Sequence, residues 1–455
     1  MENRASAPAA SASAALARAP RYTSYPTAPH FDEADAPSRQ ADWLRALPAE
    51  PVSLYVHIPF CDTLCWFCAC RTQGATKRAP VTRYLGYLEQ EIDRVAALVP
   101  DGVTIGRMHW GGGSPTVMSP EEMRRLSDLL RSRFRFEEDA EIAVEIDPRD
   151  MTEDRLDALR DCGLNRASIG VQDFDETVQR AINRMQGWEM TRDVIEALRA
   201  RGVTGINVDA IYGLPYQSVE SLGRTLEQLI GLAPDRVALY GYAHVPWMAR
   251  RQKAIPENSL PGAEARLEQA ELVRRMLTEA GYDAVGIDHF ARPGDGLAVA
   301  AREGHLRRNF QGYVDDGCET LIGLGASSIS RLPGGFLQNA AATAEYQATI
   351  EAGGLAAARG RSLTLDDKVR GHAIEKLMCA FRYDAAEMTR LFGDFARPCQ
   401  EIASELLSGE EAEWLTPDGA GGFEIRPEAR TWTRAVAARF DAYFPTGAAR
   451  HSRIV

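Results

Sequence analysis

Residues 51–70 read PVSLYVHIPFCDTLCWFCAC, an apolar, β-branched run followed by a Pro-Phe step and then four cysteines within ten positions. The run 52–58 has the length and composition of a buried strand. Thiols at Cys61, Cys65 and Cys68 follow it directly with the spacing C-x3-C-x2-C. That spacing lets one short loop wrap a compact inorganic cluster. Three thiolates hold three irons of a 4Fe-4S cluster and leave the fourth iron open to a small-molecule ligand, whereas electron-transfer clusters take four cysteines. A structural zinc site would use all four thiols, Cys70 included, and zinc ligands usually come as two pairs with a longer spacer between them. Packing the thiols into one loop favours iron and sulfur, with chemistry at the open iron.

Outward from this stretch the chain repeats one unit. Strands are predicted at 52–58, 103–110, 141–146, 166–171, 205–211 and 236–242, each followed by a helix-period segment such as 84–98 or 222–232. Strand then helix, repeated, builds a parallel sheet. Six units are fewer than the eight of a closed barrel, so the fold class is α/β, an open partial (β/α)6 barrel with room for a large ligand. The residues that carry chemistry fall after the strands in order: the Cys loop, Gly111-Gly112-Gly113-Ser114, Glu145 with Asp147, Gln172 with Asp173, Asp209, and Ala243-His244. They mark the carboxyl edge of the sheet, where ligands bind in such folds. His57 and His109 lie inside strands and read as core histidines.

The 455 residues carry a net charge of −12, which matches a phosphate backbone or an anionic membrane poorly and argues against a nucleic-acid partner. No apolar run reaches the roughly 18 residues that span a bilayer. Cysteines concentrated in one loop, and not spread as a disulfide framework, point to a reducing cytoplasm. The expected organisation is a flexible tail over 1–20, rich in Ala and Ser, and a lead-in over the site at 21–50. The barrel domain follows at 51–330, then a connecting segment at 331–363 and a smaller, mainly helical C-terminal domain at 364–455. The last has a hairpin about Asp418-Gly419 and a winged-helix character. Residues 364–445 nevertheless hold 15 acidic against 10 basic side chains, so a lid or packing role fits better than DNA binding.

With the three-Cys loop, the glycine turn and Glu145 in place, the chain resembles the radical S-adenosylmethionine (radical SAM) superfamily. A longer series is similar to the oxygen-independent coproporphyrinogen III oxidase branch: RYTSYPT at 21–27, CDTLCWFCAC at 61–70, HWGGGSPT at 109–116, EIDPRD at 145–150, GVQDF at 170–174, NVDAIYGLP at 207–215, YAHVP at 242–246, DHFARPGD at 288–295 and NFQGY at 309–313. These matches keep their order over about residues 21–445. The haem-chaperone branch shares YVHIPF and the Cys loop, but it has an aromatic residue at the position of Cys70 and lacks RYTSYPT and NFQGY. Two departures from the oxidase pattern are Ser114 in place of Thr and Met185 in place of a frequent acid.

The resemblance implies that S-adenosyl-L-methionine binds the open iron and yields a 5′-deoxyadenosyl radical, which takes a hydrogen from a propionate β-carbon. Two propionates of coproporphyrinogen III would thereby become vinyl groups, giving protoporphyrinogen IX in haem biosynthesis. It implies that Cys61, Cys65 and Cys68 are the metal ligands. It implies that Tyr55, Gly112, Glu145, Ala243 and Ile329 hold one S-adenosylmethionine, and that Phe67, Gly113, Ser114, Gln172, Arg184 and Asp209 hold a second. It implies that Tyr55, Glu145, Phe310 and Gln311 are catalytic residues. An anionic tetrapyrrole wants planar guanidiniums. Arg21, Arg71, Arg292 and Arg308 are the candidates, with Tyr22 and Tyr25 lining the macrocycle from a lead-in that closes over it. Residues 1–20 are expected to be dispensable. A flavodoxin- or ferredoxin-type electron donor and a monomeric enzyme complete the expectation.

Overall fold

The computed structural model describes residues 19–444; most of the tail expected over 1–20, like residues 445–455, lies outside them. Six strands, β1 (Pro51–Ile58), β2 (Thr104–Gly112), β3 (Arg135–Ile146), β4 (Arg166–Gln172), β5 (Gly205–Tyr212) and β6 (Arg236–Gly241), lie side by side in chain order. Each neighbouring pair is parallel. Helices Arg78–Ala96, Pro120–Arg133, Glu153–Asp161, Trp188–Ala200 and Val219–Gly231 make the crossovers, so the fold is the open partial barrel that the strand count predicts. Their starts are set locally. Ser119 and Glu122 form a capping box with Pro120 at the first helical position, and Ser218 with Ser221 does the same for Val219–Gly231.

Side chains alternate across a strand, so each barrel strand has one face for the helices and one for the interior. Leu54, Val56 and Ile58 of β1, Met108 and Trp110 of β2, Ile142, Val144 and Ile146 of β3, and Ala167, Ile169 and Val171 of β4 are all buried in one apolar core. Ile206, Val208 and Ala210 of β5 and Val237 and Leu239 of β6 continue it. The residues between them point inward and are mostly polar.

The sheet does not stop at six strands. Leu321–Leu324 adds in parallel beside β1, and Ile329–Leu332, Gly335–Asn339 and Ala357–Ser362 follow antiparallel. His289–Ala291 and Asp283–Val285 add antiparallel beyond β6. The segment expected to be a mere connection at 331–363 therefore belongs to this sheet. Its strands extend the run that covers the edge of β1, whose unpaired backbone groups would otherwise be exposed.

A second core gathers helices Leu365–Ala380, Ala385–Phe392, Arg397–Ser408 and Thr433–Arg439 on a three-stranded sheet formed by Arg382–Tyr383, Leu415–Pro417 and Phe423–Ile425. The lead-in is part of that core. Tyr22 and Tyr25 are buried within it, the Tyr22 hydroxyl 3.1 Å from Asp441 Oδ2 and the Tyr25 hydroxyl accepting from Ala442 N at 3.0 Å. Neither ring is free to line a macrocycle, which corrects that expectation: two aromatic residues beside an apolar core are buried by it. The expected tail is corrected at its end as well. Ala19 and Pro20 are buried, and the Arg434 guanidinium donates to both of their carbonyls, with Nε 3.0 Å from Pro20 O. Among the described residues no helix is long and apolar enough to cross a membrane.

Deleting residues 1–20 removes these two acceptors from a buried cation. Leaving buried donors unmatched costs about 1–3 kcal/mol, so the truncated protein is expected to unfold at a lower temperature than the full chain in a calorimetric comparison. An unchanged midpoint would show that the contacts between the lead-in and Arg434 contribute nothing to stability.

Candidate active site

The inward columns of the strands read from floor to rim. On β2 they are Arg107, His109 and Gly111, on β3 Glu141, Ala143 and Glu145, on β5 Asn207 and Asp209, and on β6 Arg236, Ala238 and Tyr240. All of these but Gly111 line a cavity of about 210 Å³, as do Gln311 and His289. The floor is closed by ion pairs. Arg107 meets Glu141 and Asp315 at 2.8 Å each, Arg166 meets Glu141 at 2.7 Å, and Arg236 meets Asp295 at 2.6 Å and Asp315 at 2.7 Å. Paired in this way the floor charges satisfy one another, and the groups without partners are left at the rim.

At the rim, Tyr55 of β1 is held between two histidines. His57 Nε2 lies 3.2 Å from the Arg71 carbonyl, which only accepts, so Nε2 carries the proton. Burial lowers the His57 pKa and keeps the ring neutral. Its Nδ1, 3.1 Å from the Tyr55 hydroxyl, therefore accepts from it. The Tyr55 ring stacks on His109 at 5.8 Å, and His109 Nε2 lies 3.3 Å from Glu145 Oε1. Glu145 Oε2 accepts from Gly112 N at 3.0 Å. Two glycines are required by this approach. A Cβ on Gly111 would lie 2.6 Å from the Glu145 carboxylate, and Gly112 has φ +108° with His57 against it. Gly113 N donates to Ile58 O at 2.9 Å, and Ser114 N donates to Phe60 O at 2.7 Å, which ties the glycine turn to the start of the Cys loop.

The Cys loop is held from several sides. Asn183 Nδ2 donates to Leu64 O at 2.9 Å, Trp66 N to Ile182 O at 2.9 Å, and Gln252 Nε2 to the carbonyls of Phe67 at 2.7 Å and Ala243 at 3.1 Å. The Phe67 side chain packs beside Val178, Ile182, Leu214 and Tyr242. Cys65 Sγ faces two guanidiniums, Arg149 at 3.5 Å and Arg184 at 3.6 Å, and Asp147 bridges both at 2.6 and 3.0 Å. Cys61 Sγ is 3.1 Å from Thr72 Oγ1. The neighbouring Cys70 lowers the Cys68 thiol, through a hydrogen bond of its own thiol and through its N–H at 3.4 Å from Cys68 Sγ, whereas burial pushes the Cys61 thiol up to about 11. Donors aimed at sulfur and a thiol biased towards thiolate suit iron-sulfur ligation. Among the described residues no three Cys, His, Asp or Glu side chains converge closely enough for a single metal ion.

Other expected residues fall at the same edge. Gln172 has φ +72° at the end of β4, with its Nε2 near Gly170, whose carbonyl accepts from Arg184 Nη2 at 2.6 Å. Asp209 sits inside the cavity, where burial and then the Glu145 charge raise its carboxyl to about 7. Ile329 opens a strand whose backbone abuts Gly323, the register partner of Tyr55. Gln311 lines the cavity with a buried Nε2 that has no hydrogen-bond partner, and Phe310 packs edge-on against Phe336 at 5.9 Å.

The arginine candidates divide. Arg21 donates to the carbonyl of Gly241, the last residue of β6, at 3.0 Å, and Arg308 is buried beside Asp288. Arg71 is exposed at the end of the Cys loop. Arg292 is at the wrong end. It donates to Pro234 O at 3.2 Å and lies over Tyr282, beside the amino end of β6, because the strand His289–Ala291 runs antiparallel and carries its successor downward. His57 and His109, read as core residues, are rim residues instead. The alternation that places Tyr55 inward also places both of them inward.

Residues the sequence reading passed over include Arg149, visible only as part of EIDPRD, and Glu91. The Glu91 carboxylate is fully buried and accepts from Gly325 N, Asn339 Nδ2 and Tyr346 Oη, each at 2.7 Å. It fixes the loop before Ile329. Nothing in a helical Glu announces that role.

A three-thiol loop, a glycine turn and an acid on successive strand ends of an open barrel define a radical SAM protein. The model of the radical SAM superfamily matches residues 55–229. The chain is 51% identical over 438 residues to an oxygen-independent coproporphyrinogen III oxidase of Cereibacter sphaeroides, covering 96% of each, and 40% identical to the Escherichia coli enzyme of that name, covering 93% of each. The solved Escherichia coli coproporphyrinogen III oxidase, described as a radical SAM enzyme, superposes with a TM-score of 0.89 at 39% identity, over 93% of this chain and 97% of that one. The chain belongs to the oxygen-independent coproporphyrinogen III oxidase family.

The Asp209 carboxyl is raised above its unfolded value, so the folded state holds a proton that the unfolded state has lost. Its ionisation therefore opposes folding as pH rises from about 4 to 7. Asp209→Asn should gain stability relative to the parent as pH increases through this window, measured by thermal unfolding at pH 5 and pH 8. A difference independent of pH would contradict the buried placement.

Proposed function

We infer that the chain catalyses the oxygen-independent oxidative decarboxylation of coproporphyrinogen III, converting two propionate side chains to vinyl groups and giving protoporphyrinogen IX for haem synthesis. The observation that carries the reading is the shared edge. Glu145, Asp209 and the unpartnered amide of Gln311 line one cavity of the barrel, and the Glu145 charge acts on Cys68 of the Cys loop, in a chain with relatives of that name along nearly its whole length.

Cys61, Cys65 and Cys68 are the residues to hold a 4Fe-4S cluster. Tyr55, Gly112, Glu145, Ala243 and Ile329 are those for an S-adenosylmethionine at its open iron, and Phe67, Gly113, Ser114, Gln172, Arg184 and Asp209 those for a second molecule. When bound, the cluster and S-adenosylmethionine supply the one-electron chemistry that removes a hydrogen atom from the propionate β-carbon, after which CO2 and one electron leave. The chain's own part is to bind, orient and keep dry. The Glu145 carboxylate, fixed by Gly112 N–H and His109, presents a negative charge to a cationic amine or sulfonium group. Tyr55 donates to His57 and so keeps its ring flat against the rim. Arg149 and Arg184 lie over Cys65 and shield it from water. Gln311, beside Phe310 at the tip of the short hairpin Arg307–Asn309 to Gly312–Val314, offers its amide to a molecule in the cavity.

We further propose a flavodoxin- or ferredoxin-type electron donor, since the cluster loop carries the exposed Trp66 and Cys70 at the surface, together with a monomeric enzyme and a cytoplasmic site of action, where thiols stay reduced.

Anaerobic incubation of the iron-loaded enzyme with coproporphyrinogen III, S-adenosylmethionine and a low-potential reductant tests the reading. Protoporphyrinogen IX and CO2 are the expected products. Glu145→Ala should weaken S-adenosylmethionine binding by roughly tenfold or more, the loss of one charge-assisted hydrogen bond. Recovery of unchanged coproporphyrinogen from an enzyme that binds S-adenosylmethionine and carries its cluster would overturn the assignment.

A further inference from the structure

Each of the three thiols in the Cys loop has a polar neighbour, and these neighbours differ in charge. Cys61 Sγ lies 3.1 Å from the Thr72 hydroxyl, and Cys68 Sγ accepts from Cys70 N at 3.4 Å. Both neighbours are neutral. Cys65 Sγ instead accepts from two guanidiniums, Arg149 Nη2 at 3.5 Å and Arg184 Nη1 at 3.6 Å. The Arg251 charge also reaches Cys68, although its Nη2 donates to the Thr72 carbonyl.

The position of Arg149 is fixed locally. β3 ends at Ile146, and a single turn, Pro148–Asp150, follows with Asp147 as its cap. Asp147 Oδ1 accepts from Arg149 N at 3.1 Å and from its Nε at 2.9 Å, while Oδ2 accepts from Nη2 at 2.6 Å. This two-bonded fork holds the guanidinium against Cys65. Arg184 follows helix Glu176–Ala181 and donates to the same Asp147 Oδ2 at 3.0 Å and to Gly170 O at 2.6 Å. Asp150, on the turn with Arg149, is engaged elsewhere and accepts from Ser114 Oγ at 3.3 Å. The side chains of Arg149, Arg184 and Asp147 are 14%, 7% and 13% exposed, and Cys65 is buried. Burial opposes the Asp147 charge, but the Arg149 hydrogen bond and the two cations hold its carboxyl below the usual carboxylate range. The three side chains together place one positive charge on a sulfur shielded from water.

An ion pair that only tied the end of β3 to its neighbours would not need to touch that sulfur. A thiolate bonded to iron gains negative charge when its cluster is reduced, and hydrogen bonds to the sulfurs and net charge are what set cluster potentials. A cation at this distance, with little water between, favours the reduced state.

We propose that Arg149 raises the reduction potential of the 4Fe-4S cluster by holding its charge against the Cys65 thiolate, so that a low-potential one-electron donor can reduce it. The inference deepens the function proposed above and rests on its cluster. Arg149 acts through Cys65 and takes no part in hydrogen abstraction. One electron passes from the donor to the cluster, whose core loses one unit of positive charge, and no bond is made or broken. Asp147 works in both directions, fixing the guanidinium in place and offsetting part of its field.

The test is an anaerobic redox titration of the iron-loaded enzyme with dithionite, followed by the electron paramagnetic resonance signal of the reduced cluster, with iron and sulfide measured for every variant. Arg149→Gln should make reduction about tenfold less favourable, a midpoint lower by about 59 mV for one electron. Arg149→Lys, which keeps the charge, should stay close to the parent. Asp147→Asn, which removes a negative charge from the same group, should shift the midpoint upward. A role in folding alone would change cluster content and leave the midpoint of the assembled cluster where it was. A full complement of iron in Arg149→Gln with the parent's midpoint overturns the proposal and leaves the cluster reading standing. Where Arg149→Gln assembles no cluster, Asp147→Asn decides, and an unchanged or lower midpoint there overturns the proposal. A parent chain that assembles no four-iron cluster overturns the cluster reading and the proposal together.

Discussion

Every second residue of the six barrel strands points inward because its neighbours are committed to the helix layer, and the site depends on that alternation. Leu54, Val56 and Ile58 cannot leave the core, so Ser53, Tyr55 and His57 must face the interior. The same rule on β2 and β3 sets Arg107 and His109 beside Glu141 and Glu145. A slip of one residue in any strand would bury the charges under the helices and turn the aliphatic residues into the cavity. The parallel register then brings Tyr55 level with His109 and, on its other side, with Gly323, so residues far apart in sequence share one rim.

Charge is distributed along the barrel axis by what each level must do. The floor pairs Arg107, Arg166 and Arg236 with Glu141, Asp295 and Asp315 and is electrostatically closed. The rim above it holds the Glu145 carboxylate with few direct partners, a negative charge suited to a cationic cofactor. The lead-in joins the barrel to the C-terminal domain because Tyr22 and Tyr25 are buried in the C-terminal core while Arg21, next to them, reaches Gly241.

Much of this was legible from residues 51–70 and the strand ends that follow, because thiol spacing, glycine turns and strand-end acids are local signals. What lay beyond reach was non-local. The sheet edge at 331–363 is built outward from Leu321–Leu324, which pairs in parallel with β1 near the start of the barrel, and no local pattern reports that partner. Arg292 sits close in sequence to Asp288, yet the antiparallel return of its strand carries it to the opposite end of the barrel. Tyr22 and Tyr25 have the chemistry of a ligand-stacking pair, and only the position of the C-terminal core shows that they are packed away. A histidine inside a strand reads as a core residue, yet the spacing of His57 from Tyr55 and of His109 from Trp110 already contains the inward direction.

The central claim is that Cys61, Cys65 and Cys68 alone hold a cluster whose remaining iron takes S-adenosylmethionine. The direct measurement is iron and sulfide content, together with the electron paramagnetic resonance spectrum of the reduced cluster with and without S-adenosylmethionine, for the parent, Cys65→Ser and Cys70→Ser. The account predicts about four irons per chain in the parent and in Cys70→Ser, a spectrum that shifts when S-adenosylmethionine is added to either, and loss of the intact cluster in Cys65→Ser. A full complement of iron in Cys65→Ser, or a parent spectrum indifferent to S-adenosylmethionine, would contradict it.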